Sequence, residues 1–310
     1  MLTHSCQTST WTLTSPQTRM TGHIHARSTP DPRCVTGLRP EATPTLPAPH
    51  TCAPGLLEQL RAPLQLSPTV LRSSSSTSSR LALSEQTAKM SNKMVLAYWD
   101  IRGIGQPIRL LLEYTGTNYE DKFYVCGEAP DYDKSCWFDV KSELGMTFPN
   151  LPYLVDGERK LVQSNAIMRY IARKHNLCGK TEDEQVRVDF IENQAMDFRN
   201  GFVRLCYMDY DTQKDTYLQN LGEPLGQFST FLGDRKWFAG DEITFVDFIM
   251  YELLDQHKLF DANTVSKFKN LSDFLDRFEA LDKIKAYLKS DKYIKTPINN
   301  RMAKWGGKKE

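Results

Sequence analysis

The sequence predicts an α/β unit followed by an all-helical unit, both lying downstream of an extension without a core. Three observations predict this. An apolar strand near residue 94 runs through a glycine turn into an amphipathic helix, and a hairpin followed by a second helix occupies residues 151–171. After residue 177 every strand signal gives way to helical spacing.

The chain has 310 residues, of which 40% are hydrophobic and 25% charged, enough apolar material for a core and room for two domains. Its net charge of +1 hides a division. Residues 1–89 hold eight of the 39 Lys/Arg and four of the 38 Asp/Glu, leaving 31 and 34, a net of −3, for the remainder. A mildly acidic globular part lacks the electrostatic footprint of a nucleic-acid binder, so no nucleic-acid partner is expected. No apolar run approaches the ~18 residues of a membrane span, so no membrane association is expected either.

Residues 1–90 are rich in Ser, Thr and Pro, include the tract Ser73 to Ser79, and carry no sustained apolar period. Such a segment buries too little surface to offset its ordering entropy and reads as a disordered extension. Its first thirty residues hold arginines and hydroxyls without acids, which leaves a targeting segment open, although no amphipathic helix accompanies them. Met90-Ser91 reads as an original start that has acquired an upstream extension.

Met94 to Trp99 form the first strand. Gly103 and Gly105 open the turn, Pro107 takes the first helical position, and Ile108, Leu111 and Leu112 supply one apolar face. Tyr119 to Val125 give a second strand. Tyr153-Leu154-Val155 and Lys160-Leu161-Val162 form a hairpin closed by Asp156 to Arg159. Ser164 is expected to cap a helix that places Ile167, Tyr170 and Ile171 on one face. This makes a unit of thioredoxin size over 91–180.

Residues 181–310 read as helix throughout. Glu182-Asp183-Glu184 put negative charge at a helix start, where the dipole favours it. Thr244 and Asp247 form a capping-box variant flanked by Ile243 and Phe248 as a hydrophobic staple. Leu271, Phe274, Leu275, Phe278 and Leu281 form an apolar stripe.

The seven cysteines include no CxxC, which argues against a thiol-redox protein of this fold and fits a reducing, cytoplasmic setting. Four of the six histidines lie in the extension and HExxH is absent, so no metal centre is expected.

Four strings carry a resemblance: Tyr98-Trp99-Asp100-Ile101-Arg102-Gly103, Phe148-Pro149-Asn150-Leu151-Pro152-Tyr153, Gln163-Ser164-Asn165-Ala166-Ile167 and Ile243-Thr244-Phe245-Val246-Asp247-Phe248. In this order and spacing they resemble the mu class of the cytosolic glutathione transferases, from about Ser91 to Trp305. Asp197-Phe198-Arg199, Arg204 to Tyr207 and Thr296 to Asn300 resemble its mammalian mu-3 type. The resemblance implies a thioredoxin-like domain followed by a helical bundle, and conjugation of glutathione to small hydrophobic electrophiles. Glutathione is then a co-substrate and no cofactor is implied. It also implies a homodimer, with heterodimers of related subunits as a further form.

An unperturbed thiol titrates near ~8.5, so a thiolate at neutral pH needs a positioned donor. Tyr98 matches the family's catalytic tyrosine, although a strand-end tyrosine by itself packs on its neighbours. Pro152 matches the cis-proline that exposes the Leu151 backbone to the cysteinyl unit. Gln163 and Ser164 open a helix whose free amides suit the γ-glutamyl carboxylate. Trp99, Trp137, Lys141 and Asn150 match further glutathione contacts. Lys134 stands where the family commonly has arginine, keeping the charge and losing the bidentate fork.

For the electrophile, the resemblance implies a wall of Ile104, Asn200, Val203, Tyr207 and Asn300, with Ile104-Gly105-Gln106 departing from the commoner Leu-Ala-His. Asp197 matches an acid that reaches the neighbouring subunit's glutathione. Phe148 matches an aromatic key inserted between the partner's helices, the alternative being a phenylalanine buried in its own domain. A ligand carrier of the same fold with little turnover is the main functional alternative; the intact Tyr98 argues against it.

Overall fold

The computed structural model describes residues 93–309. The disorder and targeting readings of residues 1–90 lie outside them. Strand β1 (Met94–Trp99) buries Met94, Leu96, Ala97 and Tyr98. It turns through Gly103 and Gly105 into α1 (Gln106–Thr115), where Pro107 takes the second helical position rather than the first. Gly116 stops α1 at φ +69°, a left-handed conformation that suits a residue without Cβ.

Next come β2 (Tyr119–Tyr124), the short α2 (Ser135–Phe138), a 3₁₀ turn at Lys141–Leu144, β3 (Tyr153–Asp156), β4 (Arg159–Val162) and α3 (Ser164–Lys174). The sheet order is β2-β1-β3-β4. β1 runs parallel to β2, pairing Met94 with Tyr119, and antiparallel to β3, pairing Ala97 with Tyr153. The β3–β4 hairpin closes at Asp156 and Arg159, with Gly157 at φ +60° in its corner.

The helical half contains α4 (Glu182–Arg204), a π-turn at Leu205–Asp209, α5 (Tyr210–Asn220), α6 (Gly222–Leu232), α7 (Phe245–Phe260), α8 (Ala262–Ser266), α9 (Lys269–Glu279) and α10 (Asp282–Leu288). Helix α4 starts on a full capping box between Thr181 and Glu184, a spacing from which sequence reasoning took only the charge. At α7 the Asp247 carboxylate accepts from the Thr244 amide (2.8 Å) and hydroxyl (3.2 Å) and from the Phe238 amide (2.8 Å). The apolar stripe of α9 holds Leu271, Phe274, Leu275 and Phe278 fully buried; Leu281 falls beyond its end and caps α10.

One core joins both halves: Leu96, Ile108, Leu111 and Ile171 belong to the same cluster as Phe248, Met250 and Leu254. Beside it, the buried Arg102 of the β1–α1 turn forks onto Glu252 of α7 at 2.9 and 2.8 Å and reaches Asp255 at 2.6 Å. Removing one member of such a cluster leaves a charge buried and unpaired, so the turn is firmly tied to the helical half.

His257 of α7 is buried against Phe198 and Phe202, with Nδ1 on the Leu253 carbonyl (2.6 Å) and Nε2 beside the Tyr217 hydroxyl (2.8 Å). Burial pulls its imidazole down to about 4. The unfolded chain, with an imidazole near ~6.5, binds the proton first, so stability is lost as pH falls from there through about 4. The full loss is roughly 3 kcal/mol for a shift of this size. Asp247, pushed up to about 7 by burial, acts in the opposite direction over the same range. The difference between wild type and His257→Gln therefore isolates the imidazole: in urea titrations the stability gap should narrow between pH 7 and pH 4. A gap independent of pH would mean that the imidazole titrates alike in the folded and unfolded chain, and that burial does not hold it neutral.

Candidate active site

Tyr98 lies one residue before the end of β1, 6% exposed and beside the turn that glycine makes possible. A Cβ on Gly103 would stand 2.6 Å from the Tyr98 hydroxyl, and one on Gly105 2.5 Å from its ring. The two glycines therefore let the turn's backbone lie on the ring face. The Ile104 amide donates to the Tyr98 oxygen at 3.3 Å, and the hydroxyl's own hydrogen has no acceptor among the described residues. Beneath the turn the buried Arg109 donates to the carbonyls of Ile101 (2.8 Å) and Trp99 (3.3 Å), is paired with Asp121, and stands 6.0 Å from the centre of the Tyr98 ring.

Tyr98, Trp137 and Leu151 share one buried cluster, with Trp99 and Ile104 packed against it. Trp137 stacks on Tyr153 with ring centres 6.2 Å apart, and its indole N–H has no acceptor among the described residues. Leu151-Pro152 is a cis peptide. The Leu151 amide, however, already donates to the Asn150 side-chain oxygen at 2.9 Å, a local closure that the string itself does not reveal. Lys134 is the residue before α2, half-buried. Lys141 rests 4.9 Å over the Phe138 ring.

Ser164 does not cap α3. It is the first helical residue, and Gln163 precedes it at φ +71° without a side-chain hydrogen bond into the helix. A left-handed glutamine costs of order 1–3 kcal/mol, and it leaves the first amides of α3 unclaimed by any capping side chain.

Helix α4 and the π-turn form the facing wall. Arg199 and Val203 are half-buried, as is Tyr207 in the π-turn, while Asn200 is exposed. The π-turn at Leu205–Asp209, which carries Tyr207, breaks the regular helical register after α4. Burial pushes the Tyr207 hydroxyl up to about 12, so it stays protonated, and its oxygen accepts the Asn300 amide at 2.7 Å. The Asn300 side-chain oxygen is buried and has no partner among the described residues. The segment carrying Asn300 also bonds the turn after β1, from the Arg102 amide to Pro297 (2.9 Å) and from the Gly103 amide to Ile298 (3.0 Å).

Arg199 was missed by sequence reasoning. Burial pulls its pKa down, Tyr98 and Tyr207 lie within its electrostatic reach, and it makes no ion pair among the described residues. The signal was available: positions 199, 203 and 207 are spaced by four, which puts an arginine on the face already assigned to the electrophile.

Asp197 and Phe148 stand apart from this cluster. Asp197 is exposed and unpaired among the described residues, and Phe148 is 72% exposed. A surface cavity of about 190 Å3 between α4 and α6 is lined by Phe190, Ile191, Gln194, Gln227, Phe228 and Phe231. No helix of the described residues is long and apolar enough to cross a membrane, and no group of three or more His, Cys, Asp or Glu among them fits a metal ion.

A strand-end tyrosine facing a helical wall, on a thioredoxin-like sheet, is the arrangement of a glutathione S-transferase. The family models for the glutathione S-transferase N-terminal and C-terminal domains match residues 94–173 and 196–291. Glutathione S-transferase Mu 3 of Homo sapiens is 60% identical over 218 residues, covering 70% of this chain and 97% of that protein. Glutathione S-transferase Mu 5 of Mus musculus is 59% identical over 219 residues, covering 70% and 98%. The solved pi-class glutathione S-transferase of Onchocerca volvulus superposes with a TM-score of 0.62 at 32% identity, covering 69% of this chain and all of that one. The chain belongs to the mu class of the glutathione S-transferases. Its activity is that of a glutathione S-transferase, and glutathione is its substrate.

Proposed function

We propose that Tyr98 donates its hydroxyl hydrogen to the glutathione sulfur, holding a thiolate that attacks small hydrophobic electrophiles by addition or aromatic substitution. The observation that carries this reading is the Tyr98 hydroxyl: its oxygen is held by the Ile104 amide while its hydrogen is left for a ligand. The free amides of α3 at Gln163 and Ser164 take the γ-glutamyl carboxylate. Trp137, Lys141 and Lys134 take the glycyl end, with Trp99 beside them. For Leu151 to pair with the cysteinyl unit, the Asn150 side chain must leave the Leu151 amide and turn to the ligand. Ile104, Val203, Tyr207 and Asn300 line the electrophile subsite with Asn200 at its rim, and Arg199 faces the charge that develops there. In this division residues 91–180 bind glutathione and residues 181–310 shape the electrophile pocket.

Turnover with glutathione and a chloronitrobenzene tests the assignment. A carrier of the same fold binds both and releases them unchanged. The compartment we assign is the cytoplasm, whose reducing poise suits the free thiols of Cys126, Cys136, Cys178 and Cys206.

The dimer belongs to the same proposal, either of two identical subunits or with a related subunit. The exposure of Phe148 and the apolar cavity between α4 and α6 support a key and its lock, repeated by a twofold axis. Phe148→Ala empties that lock on both sides, and truncating a buried phenylalanine costs about 3–5 kcal/mol. With Asp197 reaching across, the variant is expected to show more monomer on sedimentation and weaker glutathione binding together. A tight dimer at nanomolar concentration would remove Phe148 from the interface. A monomer with normal glutathione affinity would remove Asp197 from the neighbour's site.

A further inference from the structure

The loop between β2 and α2 is flanked by two thiols for which the conjugation reaction has no use. Cys126, just after β2, is fully buried, and its Sγ donates to the Tyr132 carbonyl at 3.6 Å. Cys136, in α2, is exposed, and its Sγ donates to the carbonyl of Val125 at 3.2 Å. Val125 is bonded to Cys126. Across a trans peptide the oxygen and the next Cα are roughly 2.8 Å apart, so the Cys136 sulfur lies within about 6 Å of the Cys126 Cα. The two thiols are also close enough to interact electrostatically. The loop ends are already drawn together by the Gly127 amide on the Asp133 carbonyl at 2.7 Å. Closing a disulfide needs the two Cα atoms within about 7 Å, so any adjustment falls on α2, a helix of only four residues.

We propose that Cys126 and Cys136 form a redox pair, closed to a disulfide by exchange with glutathione disulfide, and that closure weakens glutathione binding. The exposed Cys136 thiolate attacks one sulfur of glutathione disulfide, forming a mixed disulfide and expelling one glutathione thiolate. Cys126 then loses its proton and attacks the Cys136 sulfur, and the second glutathione leaves as a thiolate that takes up a proton. The protein gives up two electrons and two hydrogens; one glutathione disulfide becomes two glutathiones.

The order follows from exposure. Burial pushes the Cys126 thiol up, with Lys134 and Arg301 acting against it, so the buried sulfur resolves the bond rather than opening the exchange. Closure pulls on α2 at Cys136, between Lys134 and Trp137. Its effect on glutathione rests on the assignment of those two residues to the tripeptide; the linkage itself does not. The enzyme would then lose affinity for its thiol substrate when the disulfide form accumulates, sparing what glutathione remains.

The full chain equilibrated in glutathione/glutathione disulfide mixtures, then alkylated and mapped by peptide mass, tests the pair. The expected result is a Cys126–Cys136 linkage in oxidising mixtures and a KM for glutathione raised roughly ten-fold, the scale of one charge-assisted hydrogen bond, restored by dithiothreitol. Cys126→Ser should stop at a glutathione adduct on Cys136, and Cys136→Ser should form neither product. A persistent adduct in the unsubstituted chain, or linkage to any other cysteine, overturns the pair. Linkage with an unchanged KM overturns its control of binding. Trp137→Leu in the reduced protein tells the two failures apart: if it raises KM, the assignment of the glutathione contact stands and only the redox control fails.

Discussion

Tyr98→Phe is expected to slow conjugation by about one to three orders of magnitude while glutathione affinity stays within a few-fold. The substitution keeps the ring that packs against Gly103 and Gly105 and deletes only the hydroxyl. In the proposed assignment glutathione is bound elsewhere, by the α3 amides and the Trp137 cluster, so affinity should survive, whereas the thiolate depends on the hydroxyl. A phenol donating to sulfur lowers a thiol pKa by about 2 units, roughly 2.7 kcal/mol, and without it the bound thiol returns toward ~8.5. The thiolate absorbance of the binary complex should accordingly titrate at higher pH in the variant, and the rate deficit should shrink as pH rises. An unchanged titration midpoint would falsify the role of the hydroxyl, whatever the rate.

The second large effect is on stability. Asp247 is fully buried and accepts two backbone amides and one hydroxyl at the start of α7, the helix on which both halves of the core rest. Asp247→Ala leaves the Phe238 and Thr244 amides without their acceptor and removes the cap. Each buried amide left unpaired costs ~1–3 kcal/mol, so a loss of about 3–5 kcal/mol is expected. In a chain of this size that lowers Tm by roughly 10 °C. Asp247→Asn keeps one oxygen and should fall between the two. If the alanine variant lost less than about 1 kcal/mol, the amides would have found other partners and the cap would be dispensable.

Much of this was legible in the sequence because the signals are local. The apolar run of β1, the glycines after it, the two-residue corner at Gly157 and the Thr244–Asp247 spacing each act within a few residues. What was not legible depends on distant neighbours or on conformations that composition does not encode. Gln163 adopts a left-handed conformation that glutamine seldom takes, so the cap was placed at Ser164, one residue late. The Asn150 closure onto Leu151 competes with a ligand, and only coordinates show which partner holds the amide. Arg199 looks like any surface cation of α4 until its desolvation is seen, with no ion pair to it among the described residues. The exposure of Phe148 is likewise a tertiary fact; the string around it fits a buried residue as well.

The bonds from Arg102 and Gly103 to Pro297 and Ile298 join segments nearly two hundred residues apart in the chain. On a ribosome adding ~5–20 residues per second, the turn beside Tyr98 emerges roughly 10–40 s before the strap that secures it. The counter-charges of Arg102 arrive earlier than the strap but still long after the sheet has been made. A nascent chain therefore carries an arginine awaiting its carboxylates and a pocket open on one side through most of synthesis. Chaperone occupancy of ribosome-bound chains halted before and after residue 298 would reveal that interval directly.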